Sequence, residues 1–313
     1  MLAVGWPTVL GQQRVPSAPQ NFHVELTSAT SVKITWDPPK FLNGEVLGYQ
    51  MRKTVVDSPG KERIYNQKDL QKRYFIIDNL DPNTKYSFNM NAFNRYGDGE
   101  YTERKFVTTQ GIPPEAPEIV SVSLERDEPP IVARIEWKLR RTRPNEGPIE
   151  RYKLWLKPRN STETYTLMKV VAGTEMSTDV SGLWMGVVYD VFLGAENKEG
   201  LSANATETLA TPIGSPDGEP LDVQYEILKG KIIVSWRPPA EEKRNGNISF
   251  YKAVLTSMDS SGDRLEKTVT PPAKSAVFEV NVRRAYTFKV AASTMKGLGP
   301  FSPVLTINPD PAG

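Results

Sequence analysis

Along this chain hydrophobic residues recur at every second position, in short bursts. In "SVKITW" Val32, Ile34 and Trp36 alternate with polar neighbours. "KYSFNMNAF" sets Tyr86, Phe88, Met90 and Ala92 on one side, and Ser87, Asn89 and Asn91 on the other. "AYTFKVAAS" does the same with Tyr286, Phe288, Val290 and Ala292. A period of two is that of a strand with one face in the core and one in water. No sustained helical period competes, since "QKDLQKRYF" is too short. The 26 prolines fall between the bursts, as turn and edge punctuation. Many short strands at regular spacing predict an all-β chain of antiparallel sandwiches.

The bursts belong to a longer repeat. Trp36, Trp137 and Trp236 lie 101 and 99 residues apart, and Tyr49, Tyr152 and Tyr251 follow them by 13, 15 and 15. Tyr86, Tyr189 and Tyr286 form a second series, each with an aliphatic residue six positions earlier (Leu80, Leu183, Val280) and a glycine eleven later (Gly97, Gly200, Gly297). Five landmarks in register over three copies indicate three related units of about 100 residues. The expected division is 1–15 as an N-terminal tail, units at 16–110, 111–213 and 214–309, and 310–313 as a C-terminal tail. The joins "TTQGIPPEAPEI" and "TPIGSPDGEP" are short and proline-bearing, hence semi-rigid, and end-to-end units would form a rod.

These landmarks resemble fibronectin type III domains over about residues 16–309. The resemblance implies that Trp36, Trp137 and Trp236 lie on strand B, and Tyr49, Tyr152 and Tyr251 on strand C. It makes Tyr86, Tyr189 and Tyr286 the tyrosine-corner residues that open strand F. "WDPP" and "WRPP" share the family's prolines after the tryptophan, whereas the middle copy reads "WKLRRTRP", so its B–C loop takes its own course. "RNGNISFYKAVL" and "RRAYTFKVAASTMKGLGPFSPV" are similar to segments of receptor-type protein tyrosine phosphatases and of immunoglobulin-superfamily neural adhesion receptors. That likeness implies the extracellular spacer and ligand-recognition segment of a plasma-membrane receptor. The alternative is an intracellular scaffold, as in the type III arrays of muscle giant proteins.

Composition narrows the chemistry. The chain has no cysteine and one histidine, His23, which removes disulfides, thiolate metal sites, cysteine nucleophiles and any triad. Asp259 and Asp263 lie in "MDSSGDR", a turn whose carboxylates serve the turn itself. No catalytic residue, cofactor, metal site or small-molecule substrate is therefore expected. Asn160, Asn204 and Asn247 begin Asn-x-Ser/Thr sequons at turns or strand ends and are candidate glycosylation sites.

With a net charge of +2, nucleic acid is not an expected partner. Charge is concentrated locally in "IEWKLRRTRP", where Lys138, Arg140, Arg141 and Arg143 crowd six positions of the unit 111–213, which has 12 basic against 15 acidic residues overall. No acidic partner for the loop arginines is evident from strands C and F. The run is thus a solvated loop or an anionic docking site, for heparan sulfate or an acidic receptor surface. Alternation puts Arg151, Lys153, Trp155 and Lys157 on the outer face of strand C, beside Asp190, Phe192 and Glu196 of strand F. Cell-surface or matrix protein ligands, and homophilic contact, complete the expected partners.

Overall fold

The computed structural model describes residues 14–58, 60–161 and 166–311. Apart from one 3₁₀ turn at Glu241–Lys243, its regular elements there are all strands. The first set is β1 (Gln20–Ser28), β2 (Ser31–Asp37), β3 (Val46–Val55), β4 (Glu62–Gln67), β5 (Tyr74–Ile77), β6 (Lys85–Asn94), β7 (Gly97–Asp98) and β8 (Lys105–Thr108). The second is β9 (Glu118–Arg126), β10 (Ile131–Lys138), β11 (Arg151–Pro158), β12 (Leu167–Ala172), β13 (Ser177–Leu183), β14 (Val188–Asn197), β15 (Gly200–Leu201) and β16 (Ala205–Ala210). The third is β17 (Leu221–Leu228), β18 (Lys231–Arg237), β19 (Phe250–Ser257), β20 (Arg264–Val269), β21 (Ser275–Phe278), β22 (Tyr286–Thr294), β23 (Gly297–Phe301) and β24 (Leu305–Ile307).

Each set makes the same two sheets. The smaller has three strands, in the order β1-β2-β5, β9-β10-β13 and β17-β18-β21. The larger has five, in the order β4-β3-β6-β7, β12-β11-β14-β15 and β20-β19-β22-β23, with β8, β16 and β24 also pairing β6, β14 and β22. Side chains that alternate inward from both sheets form the core. Trp36, Trp137 and Trp236 are 3% exposed, and their rings meet Tyr49, Tyr152 and Tyr251 at 5.4, 5.1 and 5.5 Å. Tilted aromatic pairs at this distance add about 0.5–1.5 kcal/mol to the burial itself. Among the described residues, the indole nitrogens of all three tryptophans are buried with no hydrogen-bond partner.

Each of the three tyrosines that opens strand F bonds back to the segment just before it. The Asp81 and Trp184 amides donate to the hydroxyls of Tyr86 and Tyr189 at 2.9 and 2.8 Å. In the third copy the direction reverses, and the Tyr286 hydroxyl donates to the Asn281 carbonyl at 3.1 Å.

One expectation fails. Ser87, Asn89 and Asn91 do not form a wet face on β6, for all three are buried. Arg52 on β3 reaches Tyr101, which follows β7, donating to its hydroxyl at 3.1 Å with the guanidinium 4.5 Å from the ring centre. Their segments flank β6 on opposite sides, so the contact roofs the polar row.

Packing groups the chain into two compact units. One holds residues up to Glu115 with Arg141–Ile149 and Glu196–Ser202, and the other holds Ala116–Arg140, Glu150–Ala195 and the rest of the chain from Ala203.

Candidate binding surfaces

The basic run does not stay together as a block of unpaired charge. Lys138 lies opposite Glu118 in the β9–β10 register, and their side chains pair at 3.1 Å. Arg140 approaches the same carboxylate at 3.9 Å. Arg143 is anchored twice: its guanidinium lies 3.7 Å from Glu115, and its amide donates to the Glu146 carboxylate at 2.8 Å. Glu146 is 4% exposed, which makes this turn part of the local fold. Arg141 is exposed and forms no ion pair among the described residues. The view that the loop arginines face no acid is therefore corrected. Their partners come from β9, which pairs β10 within the smaller sheet, and from the segment before β9. Nearby on β10, Arg134 contacts Glu136 at 3.3 Å and Asp179 at 3.0 Å. The Ser121 hydroxyl, and then Arg134, hold the Glu136 carboxyl below its ordinary range.

The sequon asparagines Asn160, Asn204 and Asn247 are all exposed, although Thr162 of the first sequon lies outside the described residues. Asn160 and Asn247 line one surface cleft, together with Trp184, Arg159 and Arg244. His23 is exposed on the edge strand β1, 3.9 Å from Glu25. Asp259 accepts the Ser261 amide at 3.0 Å and pairs with Arg284 at 2.9 Å, as a turn carboxylate does. Hydrogen bonds from the Ser261 and Ser257 hydroxyls are the main cause of its lowered pKa. Among the described residues no three His, Cys, Asp or Glu side chains are grouped to hold a metal, and no helix is long and apolar enough to cross a membrane.

Sequence reasoning missed a set of polar latches. Asn94 and Asn197, at the ends of β6 and β14, donate to the carbonyls of Arg14 and Ile112 at 2.9 and 3.0 Å. In the third set the Thr294 hydroxyl donates to the Gly214 carbonyl at 2.6 Å. Each binds the segment that leads into its own strand set. A second series, Asn43, Asn145 and Asn245, has left-handed φ of 50°, 61° and 55°. Asn43 donates to the Val15 carbonyl at 2.8 Å, and Asn245 to the Ser215 carbonyl at 2.9 Å. These asparagines follow their tryptophans by seven, eight and nine residues, so a search for fixed spacing passes over them.

Comparison with known proteins agrees with this architecture. Residues 17–108 match the fibronectin type III domain family. The other two strand sets repeat the sheet order of the matched one, and the chain has the fold of tandem fibronectin type III sandwiches. This fibronectin type III array is 66% identical over 305 residues to "Tyrosine-protein phosphatase Lar-like" of Caenorhabditis elegans, covering 95% of the chain and 14% of that protein. It is 28% identical over 318 residues to "Receptor-type tyrosine-protein phosphatase F" of Danio rerio, covering 95% of the chain and 16% of that protein. Neogenin of Rattus norvegicus is 27% identical over 293 residues, with 91% of the chain and 20% of that protein covered. The array thus spans less than a quarter of the length of these relatives.

Proposed function

We propose that this array is a non-catalytic, extracellular segment of a receptor-type tyrosine phosphatase, where it sets reach and offers sheet faces and loops to a cell-surface or matrix ligand. The 66% identity, sustained over 305 residues, to the Lar-like phosphatase carries the reading. The exposed sequon asparagines Asn160, Asn204 and Asn247 are compatible with it. The basic loop at 138–143 contributes less to ligand capture than its composition suggests, because Lys138 and Arg140 already face Glu118 and the Arg143 guanidinium faces Glu115.

The test is to place an epitope in the array within the full-length receptor and to stain intact and permeabilised cells. Staining of intact cells, with a peptide-N-glycosidase shift that disappears when all three sequon asparagines are changed to Gln, is the expected result. Staining only after permeabilisation would refute it and favour the intracellular scaffold.

A further inference from the structure

Asn-Gly, the dipeptide most open to spontaneous deamidation, occurs twice in the chain, at Asn43–Gly44 and Asn245–Gly246. Glycine has no Cβ to keep its backbone nitrogen away from the preceding side chain, and its backbone turns freely. The two asparagines occupy equivalent loops, with φ of 50° and 55°, and each donates to the segment that enters its own strand set. What surrounds them differs. Asn245 is 5% exposed, and its side-chain amide is held by the Ser215 carbonyl at 2.9 Å and by the Asp217 carboxylate at 2.8 Å. Its own carbonyl accepts the Gly214 amide at 2.8 Å. A Cβ on Gly246 would lie 2.8 Å from the Ile213 side chain, so that dipeptide turns only if a neighbour moves. Asn43 and Gly44 are both exposed. The Asn43 amide has one acceptor among the described residues, the Val15 carbonyl at 2.8 Å. A Cβ on Gly44 would meet nothing nearer than 3.5 Å.

We propose that Asn43 is a site of slow, uncatalysed deamidation that unlatches the entry to the first sandwich, whereas Asn245 is the same dipeptide protected by its surroundings. In the reaction the Gly44 nitrogen attacks Cγ of Asn43. The new C–N bond closes a succinimide ring, the Cγ–Nδ2 bond breaks, and ammonia leaves with the Gly44 proton. Water then opens the ring at either carbonyl, giving aspartate or isoaspartate. Both products put carboxylate oxygens, which only accept, where an N–H donor had faced the Val15 carbonyl. In isoaspartate the chain also runs through Cβ, so the turn gains a backbone atom. Asn94, which donates to the Arg14 carbonyl at 2.9 Å, is then the remaining side-chain latch on this segment. The inference is independent of the proposed function, since the chemistry needs only water and time.

The whole chain would be aged at mildly alkaline pH, folded and in urea, and both dipeptides followed by peptide mass spectrometry. In the folded chain Asn43 should convert at least about tenfold faster than Asn245, which must also break a hydrogen bond to a carboxylate. In urea the two should convert at similar rates, since the dipeptide is the same. Trypsin must draw the Arg14–Val15 bond out of both latches to cut it. The aged chain and fresh N43D should therefore be cut after Arg14 several-fold faster than fresh wild type, with cleavage after the exposed Arg264 as the unchanged reference. Equal conversion of the two sites in the folded chain would overturn the inference. So would an intact Asn43 after a time in which the chain in urea converts fully. Unchanged cleavage after Arg14, in converted chain and in N43D alike, would overturn the unlatching.

Discussion

At the scale of single residues, the corner tyrosines do two different things with the same hydroxyl. Tyr86 and Tyr189 accept from an amide, so Tyr→Phe there strands an N–H donor. Tyr286 donates to a carbonyl, which has a second lone pair for water, so its loss strands less. Tyr86→Phe and Tyr189→Phe should therefore each cost about 1–3 kcal/mol, and Tyr286→Phe about 1 kcal/mol or less, in urea unfolding. Equal losses at all three positions would show that bond direction is irrelevant. Burial also raises the phenol pKa of Tyr49, Tyr86, Tyr152, Tyr251 and Tyr286. A group whose folded pKa is raised stabilises the fold fully below its unfolded pKa and stops doing so as pH climbs through the folded one. Thermal melts should accordingly show no tyrosine-linked loss up to about pH 9 and a decline above about pH 10. Read by absorbance at 295 nm, the core tyrosines should ionise at higher pH in the folded chain than in the urea-unfolded one.

At the scale of elements, β12 and β20 share a device at the open side of the sandwich. The Lys169 ammonium donates to the Asp179 carbonyl of β13, and the Lys267 ammonium to the Val277 carbonyl of β21, each at 2.5 Å. In the first set Tyr65 of β4 holds the corresponding place and packs on Phe75 of β5, with ring centres 6.2 Å apart. Charge on an edge strand also opposes pairing with other chains. Lys169→Val would turn β12 into an unbroken apolar edge. It should lower stability by about 1 kcal/mol but produce concentration-dependent association, visible by light scattering. Much at this scale was legible in sequence. The alternation in "SVKITW" and the spacing of the tryptophans and tyrosines located strands, core and corners, because those positions answer to a local period. The buried polar row on β6 was hidden, since the cover joins Arg52 to Tyr101 across 49 residues. The acids that face Lys138, Arg140 and Arg143 were hidden for a related reason: they lie beyond β10 on the side where β9 pairs, and the charge run was compared with other strands.

At the scale of the whole molecule, placement rests on a few backbone approaches that no side-chain pattern announces. Gly186 has φ +66°, its amide donates to the Pro212 carbonyl at 2.6 Å, and a Cβ there would lie 2.3 Å from the Asn245 carbonyl oxygen. Gly186→Val should therefore be strained in its own backbone and obstructed by its neighbour, at about 1–3 kcal/mol for the backbone alone. Limited proteolysis should then cut faster within 211–220, while the 18–108 region keeps its wild-type pattern. The latches made by Asn94, Asn197 and Thr294 have a mechanical consequence. Each joins the backbone entering a sandwich to the end of a strand inside its larger sheet, while the main chain itself runs on into the smaller sheet. Tension arriving through that segment is thus divided between both sheets instead of peeling one outer strand. Without the latch, as in Asn197→Ala, the second sandwich should yield at lower force in single-molecule pulling, even where its equilibrium melt shifts little.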